Sequence, residues 1–488
     1  MTPRMMNLPM HQPSLKFGTS GLRGLVTELV GAPAFGYTLA FARLLLARGE
    51  IGGGDVVYLG RDLRASSPEI VSICAAAIEA AGLVPRDCGQ LPTPALAAHA
   101  RAMRRPAIMV TGSHIPDDRN GLKFYRAIGE IDKADEADIT GLERTVATEG
   151  GQAFAASRNI ARDGAALDAY RGRYRNFYGP DALAGLKIGV YQHSTVARDL
   201  LVELLQALGA ATVALGRSDS FIAVDTEALR PEDVALARTW AAQGEFDAIV
   251  SADGDADRPL IADETGVFVR GDLVGAITAA HLGATTVVTP VTSNSALEAH
   301  GGFESVIRTK VGSPYVIAGM AAAGGGRVAG FEANGGFLLG WDVSRDGRTL
   351  SALPTRDAVL PILAVLAQVR SLAIPLSELA ARYRFSAVAS DRIVGVAIEK
   401  SGALLGRLAS ERGYAEALFA DLGGVRKLDA KDGLRFTLGN GEIVHVRASG
   451  NAPELRCYVE AGDQGKAQVR LAWALGALRE RLGALAAS

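Results

Sequence analysis

The 488-residue chain has only three cysteines, Cys74, Cys88 and Cys457, and no run of about 18 apolar residues of the kind that crosses a bilayer. Cysteines that are few, odd in number and scattered through apolar or strand-like surroundings exclude a disulfide framework. They are expected as reduced core thiols of a cytoplasmic protein. The first ten residues are interrupted by Pro3 and Pro9 and lead into no apolar stretch of signal-peptide length, so neither export nor membrane insertion is expected. Excess charge is absent too. With 51 Lys and Arg against 53 Asp and Glu the net charge is −2, which points away from nucleic acid and from a membrane surface as partners. What remains is an ordinary globular composition, 48% hydrophobic and 21% charged, long enough for three or four domains.

A weak internal repeat organises that length. Residues 56–89 read as strand, polar loop, helix, glycine and second strand; 187–216 repeat the pattern, and a third copy begins at Thr285 and passes through Gly301-Gly302. Strand-helix-strand units of this kind need helices around a parallel or mixed sheet. After about Arg384 the pattern changes to short strands at 390–396, 424–428, 433–438, 443–448 and 455–460, followed by a helix at 468–485. Val469, Leu471, Leu475, Leu478 and Leu482 lie at helical spacing there. The expectation is therefore an α/β protein of four domains: three related mixed-sheet domains, 1–165, 166–269 and 270–384, and a C-terminal α+β domain, 385–488.

Five segments carry chemistry. In the first, Thr111-Gly-Ser-His-Ile-Pro116 follows the apolar strand 106–110, and loops at strand ends are where open α/β sheets bind ligands. Ser113 there suits a nucleophile, although a Ser-His pair alone does not separate that role from a capping surface serine. Asn120-Gly121 is expected as a tight turn returning Lys123 toward the loop. In the second, 251–261, Asp253, Asp255 and Asp257 alternate with Gly254 and Ala256, a spacing that can aim three carboxylates at one Mg²⁺, while Arg258 can reach a phosphate. Strands flank this loop, which separates it from an EF-hand.

The third segment, 16–24, is punctuated by glycines and offers Arg23 to a phosphoryl group. The fourth, 330–340, offers Glu332 and Asn334 to sugar hydroxyls. The fifth, 446–456, gathers Arg447, Ser449, Gly450, Asn451 and Arg456 as donors for a phosphate dianion.

Together these segments resemble the α-D-phosphohexomutase family, the bacterial phosphomannomutases and phosphoglucomutases, from Phe17 to about Ala461 and in family order. The resemblance implies four domains in a heart-shaped arrangement around a central cleft. It implies that Ser113 is carried as phosphoserine with His114 and Lys123 beside it, and that Ser113, Asp253, Asp255 and Asp257 hold Mg²⁺. Glu332 and Asn334 would bind the sugar, and the 447–456 segment the phosphate. Residues 60–62 and 308–312, the latter with Lys310 and Gly312, are also similar to family sequence.

Some positions depart from the family pattern. Gly112 and Ile115 stand where alanine and asparagine are usual, Ala256 where glycine is usual, and Asn451 and Ala452 where threonine and glutamate are usual. In the sugar loop Asn334 replaces a serine, and Gly336 replaces the histidine often assigned proton transfer. The candidates left for that proton are Lys123 first, because lysine loses its proton more readily beside other cations, then His114, Arg23 and Lys310.

The activity implied is reversible phosphoryl transfer between C6 and C1 of a hexose phosphate, through phosphoserine and a hexose 1,6-bisphosphate that also acts as activator. Mannose phosphate is the first substrate expected, ahead of glucose phosphate or dual specificity, and glucosamine phosphate after them. A non-catalytic sugar-phosphate binding protein and a Mg²⁺-dependent phosphatase are the competing readings. The enzyme is expected as a monomer or homodimer.

Overall fold

A computed structural model of the chain describes residues 14–18, 21–148, 156, 157, 159–300, 302–449 and 453–485. Gly450 and Asn451 of the fifth segment, Ala452, the first ten residues and Gly301 of the third repeat lie outside the described residues.

The three repeats are present, and they share one topology. Each begins with a buried strand, Val56–Arg61, Lys187–Tyr191 or Thr286–Pro290. A helix follows, Ser67–Ala80, Arg198–Ala207 or Ala296–His300. The chain then returns in a parallel neighbour, Val84–Gln90, Ala211–Leu215 or Ser305–Thr309. On its other side the first strand pairs in parallel with Ala107–Val110, Ala248–Ala252 or Val328–Phe331. That third strand pairs antiparallel with Arg119–Arg126, Pro259–Ala262 or Phe337–Leu339. The third strands are four- and five-residue runs buried at every position, as expected of strands covered on both faces. The connection from third to fourth strand is in every copy a short loop at the strand's carboxyl end. These loops contain Ser113, the three aspartates and Glu332, respectively.

One continuous apolar core runs through all three units, from Tyr58 and Met109 through Ile188 and Val250 to Phe331 and Leu366. The helix Ala165–Tyr178 helps to seal it: the hydroxyls of Tyr170 and Tyr174 both donate to the buried carboxylate of Asp357. The fourth unit has its own core under a five-stranded antiparallel sheet. Its strand order is Ala387–Val394, Glu454–Ala461, Ile443–Ala448, Leu434–Leu438, Val425–Asp429. Polar contacts join it to the third unit: Ser295 donates to Glu460 at 2.6 Å, and the Val311 amide donates to Asp432 at 2.9 Å. The expected α/β architecture with an α+β fourth unit is thus observed. All three cysteines are free and buried, and no described helix is long and apolar enough to cross a membrane.

Two sequence expectations are corrected. Asn120-Gly121 is not a turn but lies inside the strand Arg119–Arg126, whose register places Lys123 opposite Met109. Gly121 is there because a Cβ would stand 2.3 Å from the Leu22 carbonyl oxygen and 3.0 Å from that of Thr111. Val469, read as part of the buried face of the last helix, is 71% exposed. That helix, Gln464–Ala484, buries Ala467, Leu471, Ala474, Leu475 and Leu478, and a residue two positions from both Ala467 and Leu471 points away from the sheet.

Gly121→Ala is expected to cost about 1–3 kcal/mol through overpacking, read as a lower urea midpoint. A second expectation concerns acid. Burial lowers His193, His281 and His445 to about 4 each, and these rings bond to the Ala252 carbonyl, the Gln368 side chain and the Asp432 carbonyl respectively. The unfolded chain, with histidine near 6.5, binds more protons than the folded one between those values. Stability is therefore expected to fall as pH drops from about 6.5 toward 4, by up to about 3 kcal/mol per histidine. Replacing one of these histidines with glutamine should flatten that slope in a thermal-melt series.

Candidate functional site

Ser113 is fully buried and held with φ at +55°, in the left-handed region where a side chain is strained by roughly 1 kcal/mol or more. Its backbone is overdetermined. The Ser113 amide donates to Thr111 Oγ1 at 2.8 Å, and Thr111 in turn donates to Asp62 at 2.8 Å. The Arg64 guanidinium, 1% exposed, donates to the carbonyls of Ser113, Ile115, Pro116 and Arg119 at 2.6–3.0 Å. Asp62 pairs with Arg64 from below, and the Phe221 ring covers the guanidinium with its centroid 3.9 Å away. One arginine thus fixes the whole turn. The Ser113 hydroxyl donates to Asp253 Oδ2 at 2.6 Å and lies 3.4 Å from His114 Nδ1.

Asp253, Asp255 and Asp257 come together as their spacing suggested: one oxygen of each lies within 4.8 Å of the others, and all three residues are buried. Ala256, between them, takes a φ of +57°, which turns the loop tightly enough to converge the carboxylates. Cations reach this cluster from other units. Lys123 Nζ donates to Asp255 and Asp257 at 2.6 Å each, and Arg356 Nη2 donates to Asp257 at 2.7 Å. Thr93 Oγ1 donates to Asp255 at 2.5 Å. Burial alone would raise Asp257, yet Arg356, Lys123 and Arg258 overcome it and hold that carboxyl well below its ordinary value. Asp253 behaves oppositely: burial and the two neighbouring aspartates push it well above the ordinary range.

Asp255 Oδ1 and Asp257 Oδ1 are buried without a hydrogen-bond partner among the described residues. Two oxygens without hydrogen-bond donors, beside a carboxyl raised by burial and like charge, fit a cluster that could hold a metal ion.

Arg258 Nη1 donates to His114 Nδ1 at 2.9 Å, which leaves the ring proton on Nε2, 3.9 Å from Asp225. Burial first, then Arg258 and Arg23, lowers His114 well below its ordinary value, so the ring is neutral. Arg23 projects from the strand Leu22–Leu25 into the same region, where burial, Arg258 and Arg356 lower it to about 10. Lys123 has a cationic neighbour, since Arg356 Nη2 shares Asp257 Oδ2 with it, but its direct contacts are the carboxylates of Asp255 and Asp257.

Glu332 and Asn334 occupy the corresponding loop of the third unit, both buried. Glu332 accepts from Arg356 Nη1 at 3.2 Å. Asn334 does not point a free amide oxygen at the cleft, because its Oδ1 accepts the Gly336 amide at 3.0 Å. At Gly336 a Cβ would stand 2.8 Å from Arg356 Cδ and 3.1 Å from the Asp257 carbonyl oxygen. The residue is glycine because the stem of Arg356 passes over it.

Arg447 and Arg456 face each other in register on adjacent strands of the fourth unit, and the buried Ser449 closes the hairpin through its amide to the Glu454 carbonyl at 2.9 Å. Lys310 and Gly312 are not drawn into the aspartate cluster. Lys310 is exposed with its ammonium 5.9 Å from the Tyr315 ring centroid, and Gly312 caps the helix Ser313–Ala322.

Sequence reasoning missed three features: Arg64, Arg356 and the segment 221–227 of the second unit. In that segment Phe221 covers Arg64, Thr226 Oγ1 donates to the Asn334 carbonyl at 2.9 Å, and Asp225 lies 3.9 Å from Arg258. Arg64 lies two residues after the Gly60-Arg61-Asp62 segment, and that proximity was the one available signal for it.

Models of the phosphoglucomutase/phosphomannomutase family match this chain in four pieces: alpha/beta/alpha domain I over residues 14–149, domain II over 172–266, domain III over 270–385 and the C-terminal domain over 405–471. The chain is 50% identical over 471 residues to a phosphomannomutase of Sinorhizobium fredii, covering 96% of this chain and 99% of that protein. It is 41% identical over 474 residues to a phosphomannomutase of Salmonella muenchen, covering 96% of each. A solved phosphoglucomutase/phosphomannomutase family protein from Burkholderia thailandensis shares the fold at TM-score 0.74 and 21% identity, over 96% of this chain and 97% of that one. With all four domains matched in order and two relatives aligned nearly end to end, the chain belongs to the phosphoglucomutase/phosphomannomutase family, the α-D-phosphohexomutases, and is an enzyme of that family.

Proposed function

We propose that this enzyme interconverts hexose 6-phosphate and hexose 1-phosphate, with mannose phosphate its principal substrate, through a phosphorylated Ser113 and a hexose 1,6-bisphosphate. The observation that carries the reading is the 2.6 Å hydrogen bond from the Ser113 hydroxyl to Asp253, which sets a strained, immobilised nucleophile against the three-aspartate cluster. Mannose phosphate is preferred over glucose phosphate because the relatives at 50% and 41% identity are both phosphomannomutases.

In the first half-reaction a sugar hydroxyl attacks the phosphorus on Ser113. The bond from phosphorus to Ser113 Oγ breaks as the new oxygen-phosphorus bond forms, and the hydroxyl proton leaves to a base. The second half returns the other phosphoryl group to Ser113. Asp253, Asp255, Asp257 and the phosphorylated Ser113 would hold Mg²⁺, which supplies charge neutralisation at the transferring oxygens. Arg64 keeps the turn that presents Ser113, and Arg258 and Arg23 place positive charge beside it. Arg447, Ser449, Asn451 and Arg456 would clamp the phosphate that is not reacting, the Gly450 amide and Gly312 contributing backbone donors and Lys310 a charge at the rim.

For the proton, His114 is neutral with Nδ1 occupied by Arg258. Lys123 donates to two carboxylates and serves in this arrangement as their counter-charge. The acceptor role for Lys123 therefore requires that it first give up its third ammonium proton, the one donated to neither Asp255 nor Asp257.

Wild type is expected to isomerise mannose 1-phosphate in a coupled assay and to carry one phosphoryl group by intact mass, with Ser113→Ala losing both. An unmodified wild type that isomerises none of mannose, glucose or glucosamine 1-phosphate contradicts the reading, and steady release of inorganic phosphate without stimulation by hexose 1,6-bisphosphate makes it a phosphatase. Arg64→Lys, with one ammonium in place of a fork serving four carbonyls, is expected to lower kcat at least about tenfold. Lys123→Ala with near-normal turnover and an intact phosphoserine would remove the acceptor role from Lys123.

A further inference from the structure

Arg356 belongs to none of the five segments, yet its guanidinium joins two of them. It is the penultimate residue of the strand Leu353–Asp357 at the edge of the third sheet, where it is 3% exposed. Nη2 lies 2.7 Å from Asp257 Oδ2 in the second unit and Nη1 lies 3.2 Å from Glu332 Oε2 in the third. Its backbone has little freedom, since the neighbouring Asp357 accepts the hydroxyls of Tyr170 and Tyr174 and the Val359 amide. Its stem lies over Gly336, where any side chain would displace it. A buried arginine this constrained serves its partners' geometry as well as their charge.

We propose that Arg356 is a positioning residue that couples the cation loop to the sugar loop, so that binding at the aspartates and binding of a hexose phosphate at Glu332 depend on each other. This rests on the mutase reading. One guanidinium is divided between two carboxylates on loops from different units. A divalent cation held through Asp257 Oδ1, the oxygen that Arg356 does not hold, would draw on the same carboxylate's charge, and the guanidinium would then serve Glu332 more fully and orient it for the sugar. Linkage makes the effect reciprocal: sugar phosphate that engages Glu332 must change cation affinity by the same factor. A lysine cannot reproduce this, because a single ammonium lacks the planar fork that spans two acceptors.

The test is calorimetric titration of mannose 6-phosphate into the full-length, dephosphorylated protein, which does not turn it over, with and without MgCl₂. In wild type, MgCl₂ is expected to tighten sugar binding by roughly five- to 150-fold. In Arg356→Lys the ratio should shrink to about twofold, with a melting midpoint near that of wild type showing the fold is intact. Glu332→Gln, which leaves Arg356 in place and weakens its second partner, should shrink the ratio likewise and keeps the test available if the Arg356 variant folds poorly. An Mg²⁺ effect as large in both variants as in wild type overturns the coupling and leaves the mutase reading standing. Wild type that binds no hexose phosphate and isomerises none overturns both.

Discussion

Three aspartates with no solvent exposure sit on a six-residue loop, and everything around the cleft is arranged to make that tolerable. Isolated buried carboxylates cost several kcal/mol each unless cations and hydrogen-bond donors compensate them. The second unit cannot supply that compensation alone. Lys123 comes from the first unit and Arg356 from the third, while Ser113 and Thr93 donate from two further places in the first. The need to neutralise the cluster and the bringing together of nucleophile, cation site and sugar loop are one constraint. The continuous core through the three units provides the rigidity that holds those distances.

The repeat explains how so few residues achieve this. In each α/β unit the loop between the third strand and its antiparallel partner occupies the same topological place, and the three copies carry a serine, three aspartates and a glutamate. Packing the units around a shared core brings equivalent loop ends together. The fourth unit uses another device, two arginines opposite each other across an antiparallel ladder with a hairpin serine beyond them. Its separate core and polar junction with the third unit set it apart from the continuous body of the other three.

Much of this was legible in sequence, for identifiable reasons. Short apolar runs followed by small and polar residues marked the third strands and their loops, because a strand buried on both faces has no polar alternation to hide it. The alternating aspartates announced their own convergence. Asn120-Gly121 misled because an Asn-Gly pair usually signals a turn, whereas this glycine answers a close approach of three backbone segments and this asparagine is buried against Ser66 and Ser67. Val469 misled because apolar character was counted without the phase of the helix. Arg64, Arg356 and the 221–227 segment carried almost no signal, since a long polar side chain gives no local indication of the distant carbonyl or carboxylate it will meet.

The sequence by itself determined which chemical groups are available: a serine at a strand end, alternating aspartates, a glutamate-bearing glycine loop and a late arginine-rich hairpin. It also determined the strand-helix-strand periodicity that repeats, because both follow from residue type and short-range spacing. Tertiary structure alone decided which charges meet. It placed Lys123 on two carboxylates, one of them shared with Arg356, gave His114 a neutral ring held by Arg258, and let Arg356 occupy the room left by Gly336. Protonation and ion pairing are set by burial and by neighbours distant in sequence, 144 residues apart for His114 and Arg258, and those contacts exist only in the folded chain.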